Sequence, residues 1–491
     1  MRRVVQWVFV LCLFASFAAA QTVIVTRNVY LRSDPSTDNP AITKFLPGTE
    51  LQLMEPDTGE SYLHVRDGDG RTGYVWRRNV SVQEQSNNET TTPQPSPASP
   101  ATGSVPLLSK GHPVDWWFVF KFNSAAFPGC GGSATRQCIF GGTVQPYAHF
   151  SQQFAYASSE AHSLQQGASC VGDTTGDPVG ATFDEVYNGA AFFAIWNDQP
   201  YRDPQIQGCG DSCSAPWGHS KGMVAWNENG EGFVLQVTTP SWPEAGNKQN
   251  PRNSDGNTLG CVDDNNVQVS QHFFALRLSK PDLLKVLAAL ANASVVTDPS
   301  NPQIVRNGGP ADVQALVAAL GKKSTSVSLT NDVLSTGVRL ISKPSKLHVP
   351  PWQMVSAVLG GIPLRTATWW ANPKIYSTAA STTIDCWDDS LATPGAVEIA
   401  TTGQWSGKEI GLKGGAGTNF NHAKIGVSST TQAHLAIFGD MNQQGAIAGQ
   451  NCGSSQNGRG GLFYVIDDPT LADSVGALIS GETAPTKAPS N

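Results

Sequence analysis

The sequence predicts a layered α/β (α+β) protein, built from two similar mixed-sheet halves and preceded by a small β-barrel. Three observations carry that expectation. Short alternating strands separated by turn residues crowd positions 22–82. From about residue 106, apolar strands alternate with amphipathic helices. One strand-turn-strand pattern then occurs twice, each time behind the same polar signature, as a diverged internal duplication would.

At the N-terminus, Met1-Arg2-Arg3, the apolar run Val4 to Phe17 and Ala18-Ala19-Ala20 have the basic, apolar and small-residue order of a secretory signal peptide. Residues 1–20 are therefore expected to be removed, with the mature chain starting near Gln21. No later stretch is long enough to cross a bilayer, so the expected destination is the extracellular space or an acidic, lysosome-like compartment. Cys12 leaves with the signal. Eight cysteines remain, Cys130, Cys138, Cys170, Cys209, Cys213, Cys261, Cys386 and Cys452, an even number that in an exported chain predicts disulfides. A Cys386–Cys452 bridge would staple the second half, although sequence leaves connectivity open. The Cys209 and Cys213 pair lacks the second pair that zinc would need, so neither metal nor cofactor is expected.

Residues 21–82 form the expected barrel, with strands at Thr22–Val25, Leu51–Met54 and Tyr62–Val65. Residues 83–105 are rich in Asn, Thr, Ser and Pro and poor in anything to bury, which predicts an extended, solvated linker. Asn79, Asn88 and Asn292 fit the N-glycosylation pattern. In the large region, 106–480, Val114 to Lys121 reads as a nearly continuous apolar strand, beside a second at His272–Leu276. Helices are predicted over Pro281–Ala291, with proline in its favoured first turn, over Ala311–Leu320 ahead of Gly321, and after Asp468-Pro469. Residues 481–491 read as a flexible tail.

The duplicated signature is His-x-Lys: Gly218-His219-Ser220-Lys221 and Asn421-His422-Ala423-Lys424. A single such pair arises by chance roughly 0.3 times in this composition. The segments after each pair add weight, because Gly222–Trp226 and Ile425–Val427 are succeeded by a turn and the strands Phe233–Val237 and His434–Phe438. Residues two apart on a strand point to the same side. Two such pairs can enclose one phosphate, with one imidazole to attack phosphorus, the other to protonate the leaving oxygen and two ammonium groups for the charged oxygens. With 14% charged residues and a net charge of −7, a broad basic surface for polyanions is excluded, so any affinity for a nucleic acid must be local.

Two resemblances are carried by these and neighbouring segments. Val29 to Ser36, Leu46-Pro47-Gly48-Thr49 and Gly73-Tyr74-Val75-Trp76 resemble the bacterial-type Src-homology-3 domain, which implies a module for a peptide or cell-wall ligand; a plain spacer barrel is the alternative. The chain from about Pro113 to Asp467 resembles deoxyribonuclease II, through Pro113–Trp117 with Lys121, Gly218–Gly222, Thr258–Cys261, Asn421–Lys424, Gly439-Asp440-Met441-Asn442 and Gly460-Gly461. That resemblance implies a phospholipase D-like pseudo-dimer and a metal-independent, acid-active endonuclease acting on DNA and leaving 3′-phosphate ends. It implies His219 as the nucleophile that becomes a phosphohistidine and His422 as the acid, roles that could be exchanged. Lys221 and Lys424 would neutralise phosphate oxygens, and Asn442 would donate to the same phosphate, with Asp440 in support. Asn227 stands where the family's first motif has an aspartate, and either its carbonyl or the neighbouring Glu228 is expected to orient an imidazole. Alternative readings are a phospholipase D-type phosphodiesterase on another substrate and a catalytically impaired extracellular binding protein. His272, His348 and His434 are expected to be structural. Trp217, Trp226 and Trp242 are placed in core or rim packing, with stacking on bases the alternative.

Overall fold

The computed structural model describes residues 22–36, 40–46, 48–55, 61–82, 104–129, 153–168, 170–172, 174–202, 204–240, 242–243, 249–250 and 268–486. The signal segment, linker residues 83–103, Asn88, Cys130, Cys138 and the 258–261 segment with Cys261 lie outside the described residues. The chain divides into two compact units at residue 98.

The smaller unit is a five-stranded antiparallel sheet in the order Thr72–Trp76, Tyr62–Arg66, Glu50–Leu53, Thr22–Val25, Val80–Val82, with Val29–Leu31 paired to Thr43–Phe45. Its alternating sequence works as the strand period requires: Val23, Val25, Leu51, Leu53, Leu63, Val65 and Val75 all point inward and are buried. Asp67 closes one turn by accepting from the backbone N–H groups of Asp69 and Arg71.

The larger unit contains an eight-stranded and a seven-stranded sheet. The first is centred on β1 (Trp116–Lys121), β2 (Phe192–Asn197), β3 (Lys221–Trp226), β4 (Gly232–Val237) and β5 (Gln271–Leu278), with α1 (Pro178–Tyr187) after β1 and α2 (Lys280–Asn292) after β5. Helix α3 (Ala311–Ala319) follows. The second sheet is centred on β6 (Arg339–Lys343), β7 (Leu364–Ala367), β8 (Ile425–Ser428), β9 (Leu435–Gly439) and β10 (Gly461–Asp467), with α4 (Pro351–Val358) after β6 and α5 (Pro469–Leu478) after β10. Across the first sheet the central strands run β1-β5-β4-β3-β2, and across the second β6-β10-β9-β8-β7, every neighbour antiparallel. The two halves thus repeat one order of connection. Both first strands end in a buried lysine that donates to carbonyls just ahead of the fifth strand: Lys121 to Val269 at 2.7 Å, Lys343 to Asn457 at 2.8 Å and Arg459 at 2.9 Å.

Helix starts follow their sequence signals. Asp177, Ser279 and Asp468 cap α1, α2 and α5, each followed by proline within the first turn, where no backbone donor is missed. Helices α1 and α4 are not expected from the sequence, although each begins at a proline, as α5 does. Strands β3, β4 and β5 are apolar on both faces because they are covered on both. The two sheets share a core: Phe438 of β9 stacks on Phe118 of β1 at 4.3 Å and on Phe274 of β5 at 4.8 Å, and Phe274 meets Tyr464 of β10 at 5.4 Å.

Several expectations need correction. Residues 104 and 105, expected in the linker, belong to the larger unit, where the Val105 N–H donates to the Glu185 carboxylate. The expected tail is ordered through Thr486: Ala484 N–H donates to Ile399 O, and Arg365 binds Gly481 O and Thr483 Oγ1. Of that tail, 487–491 lie outside the described residues. Asp115, read as part of an apolar strand, precedes β1 and is 62% exposed. Cys386 and Cys452 are bridged, as are Cys209 and Cys213, and Cys170 is also disulfide-bonded. The amide nitrogens of Asn79 and Asn292 both donate within the fold, to Asn28 O and to Ser328 and Ser342. Among the described residues no helix is long and apolar enough to cross a membrane.

Phe438 has no exposed surface and joins both sheets, so Phe438→Ala should remove about 3–5 kcal/mol of unfolding free energy. Urea denaturation followed by tryptophan fluorescence measures this; a loss below about 1 kcal/mol would mean that the shared core is not what couples the sheets.

Candidate active site

Each His-x-Lys segment enters its strand at the end where the two halves meet. His219 N–H donates to Gly460 O at 2.8 Å, and His422 N–H donates to Ser270 O at 2.7 Å. Gly460 immediately precedes β10 and Ser270 immediately precedes β5, so each half holds the histidine of the other. The carboxamide of Asn421 tightens its loop by donating to Ala423 O and accepting from Ala423 N–H. The four expected residues converge: the field of Lys424 reaches His219, and those of Lys221 and His219 reach His422.

The surroundings of the two imidazoles differ. His219 Nδ1 lies 2.7 Å from the carbonyl oxygen of Asp440, an acceptor only, so Nδ1 carries the proton and Nε2 is left with its lone pair. His422 packs edge-to-face on Trp369, centroids 4.2 Å apart, and its Nε2 is buried without a hydrogen-bond partner among the described residues. Burial lowers both histidines well below the usual range, and the lysines lower them further.

The lysines also differ. Lys221, 2% exposed, donates to Asp198 Oδ1 at 2.6 Å, and the other oxygen of that carboxylate receives Arg459 Nη2 at 2.8 Å. Burial works against the Asp198 charge, but Lys221 and Arg459 outweigh it and hold the carboxyl far below its ordinary value. Losing one partner of such a buried pair costs about 3–5 kcal/mol. Lys424 donates to the backbone carbonyl of His422. It has no carboxylate ion-pair partner among the described residues; burial, then Lys221, push it well below the usual lysine range.

Behind the histidines lies a buried relay. Asp440 accepts from Gln236 Nε2 at 3.0 Å and Leu462 N–H at 2.9 Å, and burial raises it to about 7. Gln236 Oε1 faces His272 Nε2 at 3.4 Å, and His272 Nδ1 accepts the Lys424 N–H at 3.1 Å. Asp440 therefore serves through its carbonyl and as a support; its carboxyl is turned into the protein rather than toward a substrate. Asn442 donates to Gln444 Oε1 at 2.8 Å, keeps a second amide hydrogen, and has its Oδ1 buried without a partner among the described residues.

Asn227 is not part of the site. It lies past the far end of β3, about 20 Å from Lys221 by strand rise, and its Oδ1 closes the β3–β4 turn by accepting from Asn229 and Glu231 N–H. Glu228 is exposed in the same turn. Trp226 and Trp242 are core residues with no exposed surface, whereas Trp217 is half-buried under the Lys323 ammonium. Sequence reading missed Asp198, Arg459, Gln236 and Trp369. They carry no motif, and only the apolar run ending at Asn197-Asp198 gave any signal.

The Deoxyribonuclease II family model matches residues 106–482, and the bacterial SH3 domain model matches residues 27–81. Among curated proteins, Deoxyribonuclease-2-alpha of Sus scrofa is similar, 27% identical over 135 residues, which is 27% of this chain and 31% of the relative. The chain thus spans about a third of the length of that relative.

Buried His272 is lowered well below its ordinary value by burial and then by Lys424. The unfolded chain therefore takes up a proton there that the folded chain refuses, and stability falls as pH drops below about 6.5. His272→Gln, which can still accept the Lys424 N–H, should make the loss of stability between about pH 6.5 and 4.5 shallower. Urea midpoints across that range measure it; an unchanged slope would refute the assignment.

Proposed function

This chain belongs to the deoxyribonuclease II family, and from that premise we propose that it is an exported acid endonuclease that hydrolyses DNA phosphodiesters without a metal and leaves 3′-phosphate ends. The observation that carries this reading is the meeting of two His-x-Lys segments, each held by the opposite half. The repeated strand order of the two halves supports a phospholipase D-like pseudo-dimer.

His219, with its Nδ1 proton committed to the Asp440 carbonyl, presents Nε2 to phosphorus. The P–N bond forms as the P–O5′ bond breaks, and His422 gives its proton to the departing 5′ oxygen. His422 then takes a proton from water as that water attacks the phosphohistidine. The P–N bond breaks, leaving a 3′-phosphate and restoring both imidazoles. Lys221, Lys424 and Asn442 stabilise the charge that builds on the phosphate oxygens. The same burial and neighbouring cations that keep His219 unprotonated make His422 hard to protonate, so the acid step needs low pH. As the two imidazoles interact, their titration belongs to the pair.

The place of Asn227 in the β3–β4 turn, away from the paired histidines, supports reading the chain as catalytically competent. In the smaller unit, Tyr30 and Trp76 are each more than 40% exposed, with Lys44 near Tyr30 and Arg78 near Trp76. They suit a peptide or cell-wall ligand.

Plasmid cleavage with excess EDTA from pH 4 to 8 should persist in the acid range for the wild type and fall by at least about 10³-fold in His219→Ala and in His422→Ala. No chelator-resistant cleavage by folded wild type would overturn the proposal. Asn227→Ala should stay within about twofold of wild-type activity, and a loss approaching that of the histidine variants would return Asn227 to the mechanism.

A further inference from the structure

The repeated strand registers allow the two halves to be compared position by position. In the first half Asn197 pairs with Lys221, so the next residue outward is Asp198. In the second half Ala367 pairs with Ile425, which sets Thr368 opposite Lys424 and places Trp369 where Asp198 stands in the first. One half thus carries a carboxylate and the other an indole. Asp198 has 1% of its side chain exposed, bonds Lys221 and Arg459 with its two oxygens, and has no route to a substrate except through them. Arg459 in turn donates through Nε to Trp217 O at 3.0 Å and through Nη2 to Gly218 O at 2.8 Å, the two carbonyls ahead of His219. The pair therefore grips both ends of the His219-Ser220-Lys221 segment, and Arg459 does so from the second half of the chain. Trp369 offers Lys424 no such anchor; it contacts His422 instead.

We propose that Asp198 and Arg459 are a positioning pair that fixes His219 and Lys221 for phosphoryl transfer, making the first half the rigid, nucleophile-bearing half of the site. This rests on the phosphodiesterase reading above. A lysine on a four-carbon stem loses entropy in holding one geometry. Asp198 takes one of its three donors and leaves two for the phosphate. Together Asp198, Lys221 and Arg459 carry a net charge of +1, so the anchor does not cancel the attraction for an anion.

The groups facing His219 are Lys221 two residues on, Asp198 after β2, Arg459 before β10, and His422 and Lys424 before β8; of these only Asp198 favours its protonated form. Replacing that carboxylate by a carboxamide makes the His219 proton easier to lose. The acid limb of the rate profile should then move to lower pH.

The test compares Asp198→Asn, Arg459→Met and Arg459→Lys in the full chain, on DNA with EDTA, with circular dichroism to confirm folding. Wild-type cleavage is measured first, so failure of the nuclease reading is seen separately. Asp198→Asn should lower kcat by about 100-fold, the scale of a misplaced catalytic group, with KM within about threefold, and should shift the acid limb downward. Arg459→Lys should recover about tenfold over Arg459→Met. A kcat within about threefold of wild type in Asp198→Asn would overturn the proposal. So would a loss of rate with both pH limbs unmoved and lysine no better than methionine at 459. Should Asp198→Asn fail to fold, the Arg459 comparison and its pH profile decide alone.

Discussion

The site depends on two reciprocal main-chain hydrogen bonds, His219 N–H to Gly460 O and His422 N–H to Ser270 O. Each ties the loop ahead of a third strand to the residue ahead of the other half's fifth strand. Neither half can place its own histidine, and the constellation exists only where the two sheets are docked. The aromatic contacts of Phe438 with Phe118 and Phe274 supply the apolar drive for that docking. The main-chain bonds convert it into a register.

Burial then sets the electrostatics. Several cations lie around the paired histidines, Lys221, Lys424 and Arg459 closest, with Lys121 adding to the field at His422. The carboxylate answering them, Asp198, is charged and shared by two of them; Asp440, raised to about 7, gives up its charge in acid. Such an array costs desolvation energy, which is offset when an anion enters. It also explains why the imidazoles resist protonation until the solution is acidic.

Much of this was legible in the sequence. The two His-x-Lys segments sit ahead of matching strands, and the strand period alone puts each pair on one side. Pro281 in a first turn and Asp468-Pro469 marked two helices, and alternation marked the barrel. The part that could not be read is the assembly made where the two sheets dock. Asp198, Arg459, Gln236 and Trp369 come from widely separated positions and belong to no local pattern. Asn227 misled for a geometric reason: a motif counted along the chain runs away from the site once the counting enters β3. Six residues of extended strand carry it to the opposite edge of the sheet, where asparagine suits a turn.

The central proposal is that two histidines from two halves form one phosphoryl-transfer site. Alkaline quenching of turnover on DNA carrying labelled phosphodiesters, followed by peptide mapping, tests it most directly. At most one label per chain is expected, on His219, and none when His219 is replaced by Asn. Two labels per chain, one on each histidine, would mean two independent sites and would contradict it.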